Sequence, residues 1–354
     1  MSLIIDGNFD GGNPKGKERI VRNGENGIIV YPFSEDDDPN YKFRLDLKIQ
    51  NPTESTINIS LTIDWQTERY MEYRDYIFLK NPLAEVWNFL PGKVVGTKSL
   101  LEVELKPGES YLCLHPSYSY GDYLRFIESV QETDVLKKYF LGESREGRKI
   151  WGIKISDPIV PARKNMIVVA RVHPYETSGS YCAEGIAESY RHPSPQEKEV
   201  LKKYNIYLIP MISPDGVYHG FGKLTSRQGV DLSKNVDGND ASCVLLINLI
   251  EELKPAVYME FHNWMFKNID GIYYLSALDS YRFRRRMPSQ KRYGKVWKPM
   301  LHRKLFSLSP LGFKKYCKEK YRSICACVEY PWFLRDIQAM KEMGRSTIHA
   351  MSKL

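Results

Sequence analysis

Between Tyr41 and Trp65 the chain alternates. Tyr41, Phe43, Leu45, Leu47 and Ile49 are separated by Lys42, Arg44, Asp46 and Lys48, and Ile57, Ile59, Leu61, Ile63 and Trp65 by Asn58, Ser60, Thr62 and Asp64. Period two places the apolar side chains of each segment on one face, so the spacing predicts half-buried strands over 41–50 and 57–65. Asn51-Pro52-Thr53-Glu54-Ser55 joins them as a turn, and Lys106-Pro107-Gly108-Glu109 joins the apolar segments 101–105 and 111–114 in the same way. Residues 1–115 therefore read as an antiparallel β-sandwich domain that supports its neighbour by packing.

Near residue 116 the pattern changes. Helical spacing starts at Tyr123, and 141–150 reads as a turn leading into a strand over 150–155. Strands over 166–172, 205–212, 256–262, 271–276 and 323–330 then follow, interleaved with helices over 178–190 and 241–253 and closed by a helix over 334–351. Short apolar runs alternating with helices predict an α/β domain over 116–354, a mixed sheet with helices on both faces. Two domains also suit a length of 354 residues.

Composition adds less. With 42% hydrophobic and 12% aromatic residues there is material for packed cores. No apolar run approaches the roughly 20 residues that span a bilayer, and the first residues lack the charged and apolar regions of a secretory signal. The expectation is a soluble cytoplasmic protein with no membrane partner. Cys182, Cys243, Cys325 and Cys327 sit in apolar segments and no C-x-x-C pair occurs, which favours buried reduced thiols over disulfides or a cysteine zinc site. The net charge of +8 is partly local, in Arg282, Arg284, Arg285, Arg286, Lys291, Arg292, Lys295 and Lys298. That segment reads as a solvated loop or as a guide for an acidic substrate. Nucleic acid ranks third, because no recognised binding module accompanies the charge.

The candidate chemistry begins where the apolar run 167–172 breaks at His173-Pro174-Tyr175-Glu176. A His at a strand end and a carboxylate in the next turn can meet one ion, and both are zinc-ligand types. Four later segments answer it: Pro210-Met211-Ile212-Ser213-Pro214-Asp215-Gly216-Val217, Gly229-Val230-Asp231-Leu232-Ser233-Lys234-Asn235, Glu260-Phe261-His262-Asn263 and Val328-Glu329-Tyr330. In this order the set resembles the M14-type zinc carboxypeptidases, most of all their cytosolic carboxypeptidase branch, from about residue 142 to 329. The resemblance implies one zinc ion on His173, Glu176 and His262, Glu329 as general base, Asp231 orienting the first His, and a β-sandwich in front of the catalytic domain. Two His and one carboxylate leave a coordination position for water, the arrangement of catalytic rather than structural zinc. Asp231 also reads as a residue capping its own turn.

Several positions depart from the family. Ser233-Lys234 stands where the family has the Asn-Arg pair that grips a terminal carboxylate, and Lys offers a point charge in place of a bidentate fork. Ser213 replaces an Asn beneath the site, and Tyr175 replaces a Gly beside it. Leu224 stands where the family has an Arg that stabilises the oxyanion, with Lys223 and Arg227 as the nearest cations and Arg227 preferred. Arg171, two positions before His173, would share its face on a strand and offers a further substrate cation or a structural ion pair. The family's loop Tyr has no clear counterpart among Tyr293, Tyr316 and Tyr321. The expectation is a zinc-dependent hydrolase of peptide or amide bonds acting through a metal-activated water, foremost a carboxypeptidase for small or acidic C-terminal residues. The alternatives are an amidase or deacylase on a non-peptide substrate and a non-catalytic metal-binding scaffold. Oligomeric state is not legible.

Overall fold

The computed structural model describes residues 3–35, 38, 41–160, 164–236, 238–263, 266–267, 269–288, 296–297 and 310–354. The chain forms two compact units, one of Met1–Tyr120 with Gly216–Lys223, the other of Gly121–Asp215 with Leu224–Leu354.

The first unit holds two five-stranded sheets. One runs β1 (Ile4–Asp6), β4 (Asp46–Asn51), β10 (Gly108–Cys113), β6 (Tyr76–Lys80), β7 (Asn88–Pro91); the other runs β2 (Ile20–Asn23), β3 (Gly27–Val30), β5 (Ile57–Asp64), β9 (Lys98–Leu105), β8 (Lys93–Val95). Period two holds where it was clearest. Ile59, Leu61 and Ile63 of β5 are buried opposite Val103, Leu101 and Ser99 of β9, and they pack with Leu47, Ile49 and Leu112 of the other sheet in one core. Two details differ from expectation. β3 pairs with β5 in parallel, the exception in otherwise antiparallel pairing. The strand expected over 41–50 begins only at Asp46, because Lys42 and Arg44 are buried with Phe43 and Leu45 and alternation of exposure is lost. Arg44 instead donates to the Val217 carbonyl at 3.4 Å and lies 3.6 Å from Asp46.

Gly216–Lys223 joins this unit through specific bonds. Asn13 Nδ2 donates to the Gly220 carbonyl at 3.0 Å, the Gly11 amide to the Tyr218 carbonyl at 3.0 Å, and the Gly222 amide to Glu35 at 2.8 Å. Nothing in the sequence pattern marks that return.

The second unit is built on a mixed sheet in the order β11 (Leu136–Glu143), β12 (Lys149–Ile155), β14 (Tyr204–Ile209), β13 (Lys164–Val169), β15 (Val257–His262), β18 (Ile324–Glu329), β16 (Ile269–Tyr273), β17 (Val296–Trp297). The central four strands are mutually parallel, so their carboxyl ends share one edge. The helices of this unit are α1 (Tyr120–Ser129), α2 (Thr177–Arg191), α3 (Pro195–Leu201), α5 (Ala241–Leu253), α6 (Ala277–Arg286), α7 (Gly312–Tyr321) and α8 (Ile337–Met351), while α4 (Pro214–His219) starts here and continues in the segment that belongs to the first unit. On one face Ile167, Val169, Tyr258 and Cys325 pack with Leu246, Ile250, Phe313 and Cys317 of α5 and α7. On the other, Gly179 of α2 approaches Ala170 and Phe261 closely.

Three readings need correction here. The stretch 141–150 is mostly strand, since β11 continues to Glu143 and β12 begins at Lys149, with the turn closed by Ser144 and Arg148. The basic segment is a helix end as far as Arg286, because Phe283 is buried and Ser276 caps the Asp279 amide at 3.1 Å. Lys291, Arg292, Lys295 and Lys298 lie outside the described residues. The first strand of the site ends at Val169 rather than 172.

Helices α2 and α8 meet through glycine. A Cβ on Gly185 would lie 2.2 Å from the Lys341 carbonyl oxygen, and one on Gly344 would lie 2.2 Å from that of Cys182. Both obstacles are backbone. Alanine gains about 1 kcal/mol of helix propensity, but overpacking of about 1–3 kcal/mol or more outweighs it. Gly344→Ala is expected to destabilise the protein by about 1–2 kcal/mol net, read as a lower urea midpoint at unchanged m-value.

Candidate metal centre

Two carboxyl ends of the parallel strands supply the site directly, and a turn supplies the rest. His262 ends β15 and Glu329 ends β18, and they are register partners on adjacent strands. His173 lies four residues past β13, beyond a backbone reversal in which Arg171 takes φ 58°. Glu176 occupies the N-cap position of α2, where the helix dipole favours a carboxylate. The start of α2 is in turn pinned to β15, since Ser178 Oγ donates to the His262 carbonyl at 3.1 Å and the Ser178 amide to Asn263 Oδ1 at 3.3 Å.

These elements converge. Ligand-type atoms of His173, Glu176 and His262 all lie within 4.8 Å of one another, as do those of His262, Cys327 and Glu329. Each imidazole lies between two carboxylates. His173 turns Nδ1 to Glu176 Oε1 at 3.0 Å and Nε2 to Asp231 Oδ1 at 3.2 Å. His262 turns Nδ1 to Glu176 Oε2 at 2.7 Å and Nε2 to Glu260 Oε2 at 3.1 Å. A carboxylate on Nε2 holds the proton there and leaves the Nδ1 lone pair for an ion, the outer support usual for metal-binding His. Two imidazoles and one carboxylate at this spacing fit zinc.

The electrostatics follow from this packing. Burial opposes the charged form of His173, but Glu176 and Asp231 raise it above its ordinary value. Burial likewise opposes charge on Glu176, and the two imidazoles hold its carboxyl down at about 2. Asp231 is depressed by His173, Ser233 and Lys234 against its own desolvation. Glu329 goes the other way: burial, with Glu176 adding to it, pushes its carboxyl up to about 7 despite the pull of His262. Beside it Cys327, whose Sγ lies 3.6 Å from Glu329 Oε1, is pushed up to about 11 by burial.

A zinc carboxypeptidase family model matches residues 123–242. Cytosolic carboxypeptidase 2 of Xenopus tropicalis is 29% identical over 168 residues, which is 43% of this chain and 17% of that protein. Over residues 123–242 the chain is similar to the zinc carboxypeptidases. Human cytosolic carboxypeptidase 6 is 26% identical over 260 residues, 66% of this chain and 49% of that protein. These matches thus span less than half of either relative's length. In fold the chain is similar to a metallo-carboxypeptidase from Burkholderia cenocepacia, with a TM-score of 0.82 over 99% of this chain and 98% of that one at 14% identity. Among the described residues no helix is long and apolar enough to cross a membrane, and all six cysteines are buried and free.

Against the pattern of zinc carboxypeptidases, the departing positions have definite surroundings. Ser233 Oγ donates to Asp231 Oδ1 at 2.7 Å and lies 3.0 Å from His173 Nε2, so its hydroxyl serves the first His. Lys234, half exposed, pairs with Asp231 Oδ2 at 3.1 Å. Ser213 still bonds beneath the site, to the Val172 carbonyl at 3.4 Å. Tyr175 is buried, its ring near-parallel to that of His173. Leu224 forms a backbone bridge with Asp231, Arg227 is exposed in the turn closed by Ser226 and Gly229, and Lys223 stands over the Tyr41 ring within the first unit. Arg171 is fully buried and lies beyond the end of β13. The alternation that put it on the face of His173 therefore does not apply. Tyr316 bonds to Glu251 and Tyr321 ends α7, while Tyr293 lies outside the described residues.

Sequence reasoning missed Glu260, Cys327, Lys314 and Tyr274. The first two carried a signal, since on a strand each shares the face of the residue two positions later, His262 or Glu329. Tyr274 had none. It follows β16 at φ 72°, and burial, with Cys327 next, raises its phenol.

Proposed function

We propose that this protein is a zinc-dependent hydrolase of peptide or amide bonds, foremost a carboxypeptidase, with residues 1–115 as an accessory domain and 116–354 as the catalytic one. The observation that carries the reading is the meeting of His173, Glu176 and His262 at one edge of the sheet with Glu329 opposite His262. His173, Glu176 and His262 would hold one zinc ion, which supplies a Lewis acid and lowers the pKa of water. Glu329 takes a proton from water as its oxygen attacks the carbonyl carbon. The same carboxyl then delivers that proton to the leaving nitrogen as the C–N bond breaks, giving a carboxylate and an amine. Asp231 keeps His173 oriented. Arg227 is our candidate for charge on the oxyanion, and Lys234 with Ser233 for the substrate carboxylate. Relatives named cytosolic and six free thiols support a cytoplasmic location.

The second reading, an amidase on substrates without a free carboxylate, is favoured by one observation. Ser233 and Lys234 both already bond to Asp231. The test is mass spectrometry of a mixed peptide library with free or amidated C-termini in the presence of zinc. Loss of single terminal residues from the free form alone is expected. Cleavage of both forms favours the amidase, and silence with both favours a metal-binding scaffold.

A further inference from the structure

The His262 side of the site rests on a buried polar column that the reaction does not use. Tyr258, Glu260 and His262 alternate along β15 and therefore share the face covered by α5 and α7. Glu260 is fully buried, and its carboxylate meets three polar partners. Its Oε1 accepts from the Tyr258 hydroxyl at 3.1 Å, and its Oε2 meets His262 Nε2 at 3.1 Å and the Lys314 ammonium. Lys314 comes from the first turn of α7 and is only 2% exposed.

A buried carboxylate is costly unless paired, and a buried ammonium equally so. Glu260 and Lys314 each remove the other's penalty, and the lone pair on Oε2 is directed at the imidazole. The same turn of α7 also reaches the other imidazole's support. Gly312 has φ 53°, and a Cβ there would lie 2.7 Å from the Ser233 carbonyl oxygen, so the helix start is pressed onto the loop that carries Asp231 and Ser233. One helical turn thus meets the Glu260 carboxylate behind one ring and the backbone of the Asp231 loop behind the other.

We propose that Lys314 is a positioning residue for the metal centre: its ammonium holds the Glu260 carboxylate on His262 Nε2 and thereby fixes the ring with Nδ1 toward Glu176. The inference rests on the zinc reading above. Lys314 acts on the centre through Glu260. Loss of the ammonium leaves Glu260 without its counter-charge, and the carboxylate is no longer held on His262 Nε2. His262 then loses the acceptor that fixes its Nε2 proton.

The test is zinc affinity by competition with a chromophoric chelator, on the full chain, for wild type, Lys314→Met, Glu260→Gln and the double variant. Histidine side-chain nitrogen NMR reports the His262 tautomer in parallel. Each single variant is expected to bind zinc about 10–100-fold more weakly, with the double variant no worse than the weaker single one and mixed tautomers at His262. Wild-type affinity in Lys314→Met with an unchanged His262 tautomer would overturn the proposal. If Lys314→Met does not fold, the volume-conserving Glu260→Gln decides alone, because an unchanged affinity there removes the carboxylate through which Lys314 acts. Wild type that takes up no zinc would instead overturn the underlying zinc reading.

Discussion

Glu329→Gln is expected to lower turnover by about 10²–10⁴-fold while zinc content and thermal midpoint stay at wild-type levels. The amide keeps the size of the carboxyl and can still meet Cys327, but it has no basic oxygen with which to take a proton. The position is unusually well fixed for such a group. Glu329 is the last residue of β18, paired in register with His262 on one side and with Gly271 of β16 on the other. A Cβ on Gly271 would sit 3.2 Å from that of Glu329, so the neighbouring strand leaves room for this side chain and little more. A carboxyl pushed up to about 7 is also a stronger base than an ordinary surface carboxylate. Steady-state assays on whichever library peptide proves to be cleaved, with zinc measured on the same samples, check the expectation. Retained turnover would remove Glu329 from the mechanism.

Arg335→Met is expected to cost about 3–5 kcal/mol of stability. Arg335 donates from Nη1 and Nη2 to the two oxygens of Asp270, at 2.5 and 2.7 Å, and both side chains are essentially without solvent contact. Removing the guanidinium strands a buried carboxylate on β16, one residue before Gly271, so the damage is delivered next to Glu329. Replacing both partners, as in Arg335→Met with Asp270→Leu, removes the stranded charge and is expected to recover most of the loss. Urea unfolding of the single and double variants measures the difference. Equal destabilisation in both would mean that packing rather than charge is at stake.

How much of this was legible in the sequence depended on which force shaped each segment. The strands of the parallel centre were readable because burial on both faces leaves an uninterrupted apolar run, as in Ile167-Val168-Val169 or Ile324-Cys325-Ala326-Cys327-Val328. The antiparallel pair β5 and β9 was readable because one face is wet and the other dry. Helices α6 and α7 were not, since they are rich in Arg and Lys and are held by few anchors: Phe283 in one, Phe313 and Cys317 in the other. Period counting sees charge there, reading a loop at the end of α6 and no element at α7. In the site, His173, Glu176, His262 and Glu329 came from motif order. Glu260 was visible only to someone who extended the strand face back by two residues from His262. Lys314 was beyond reach, because its ion pair joins positions 54 residues apart and a lysine in a lysine-rich helix looks like any other. Arg171 misled for a local reason. The argument needed a strand at 171, and a left-handed residue stands there instead.

The division of the chain between its two units has a consequence for inheritance and for engineering. Chain order alone suggests two cassettes that a single cut near residue 120 would separate. The excursion of Gly216–Lys223 into the first unit means that they share one contiguous gene segment. A fragment beginning at Gly121 would keep Val217 and Phe221, both buried in the intact protein, after losing Gly11, Asn13 and Glu35, the residues that bond to that segment. The ends of that orphaned loop are Asp215, tied to Arg148 at 2.7 Å, and Leu224, bridged to Asp231. Replacing the front half alone would therefore leave that loop without its partners between two anchored ends, so an exchange of the first unit has to carry Gly216–Lys223 with it.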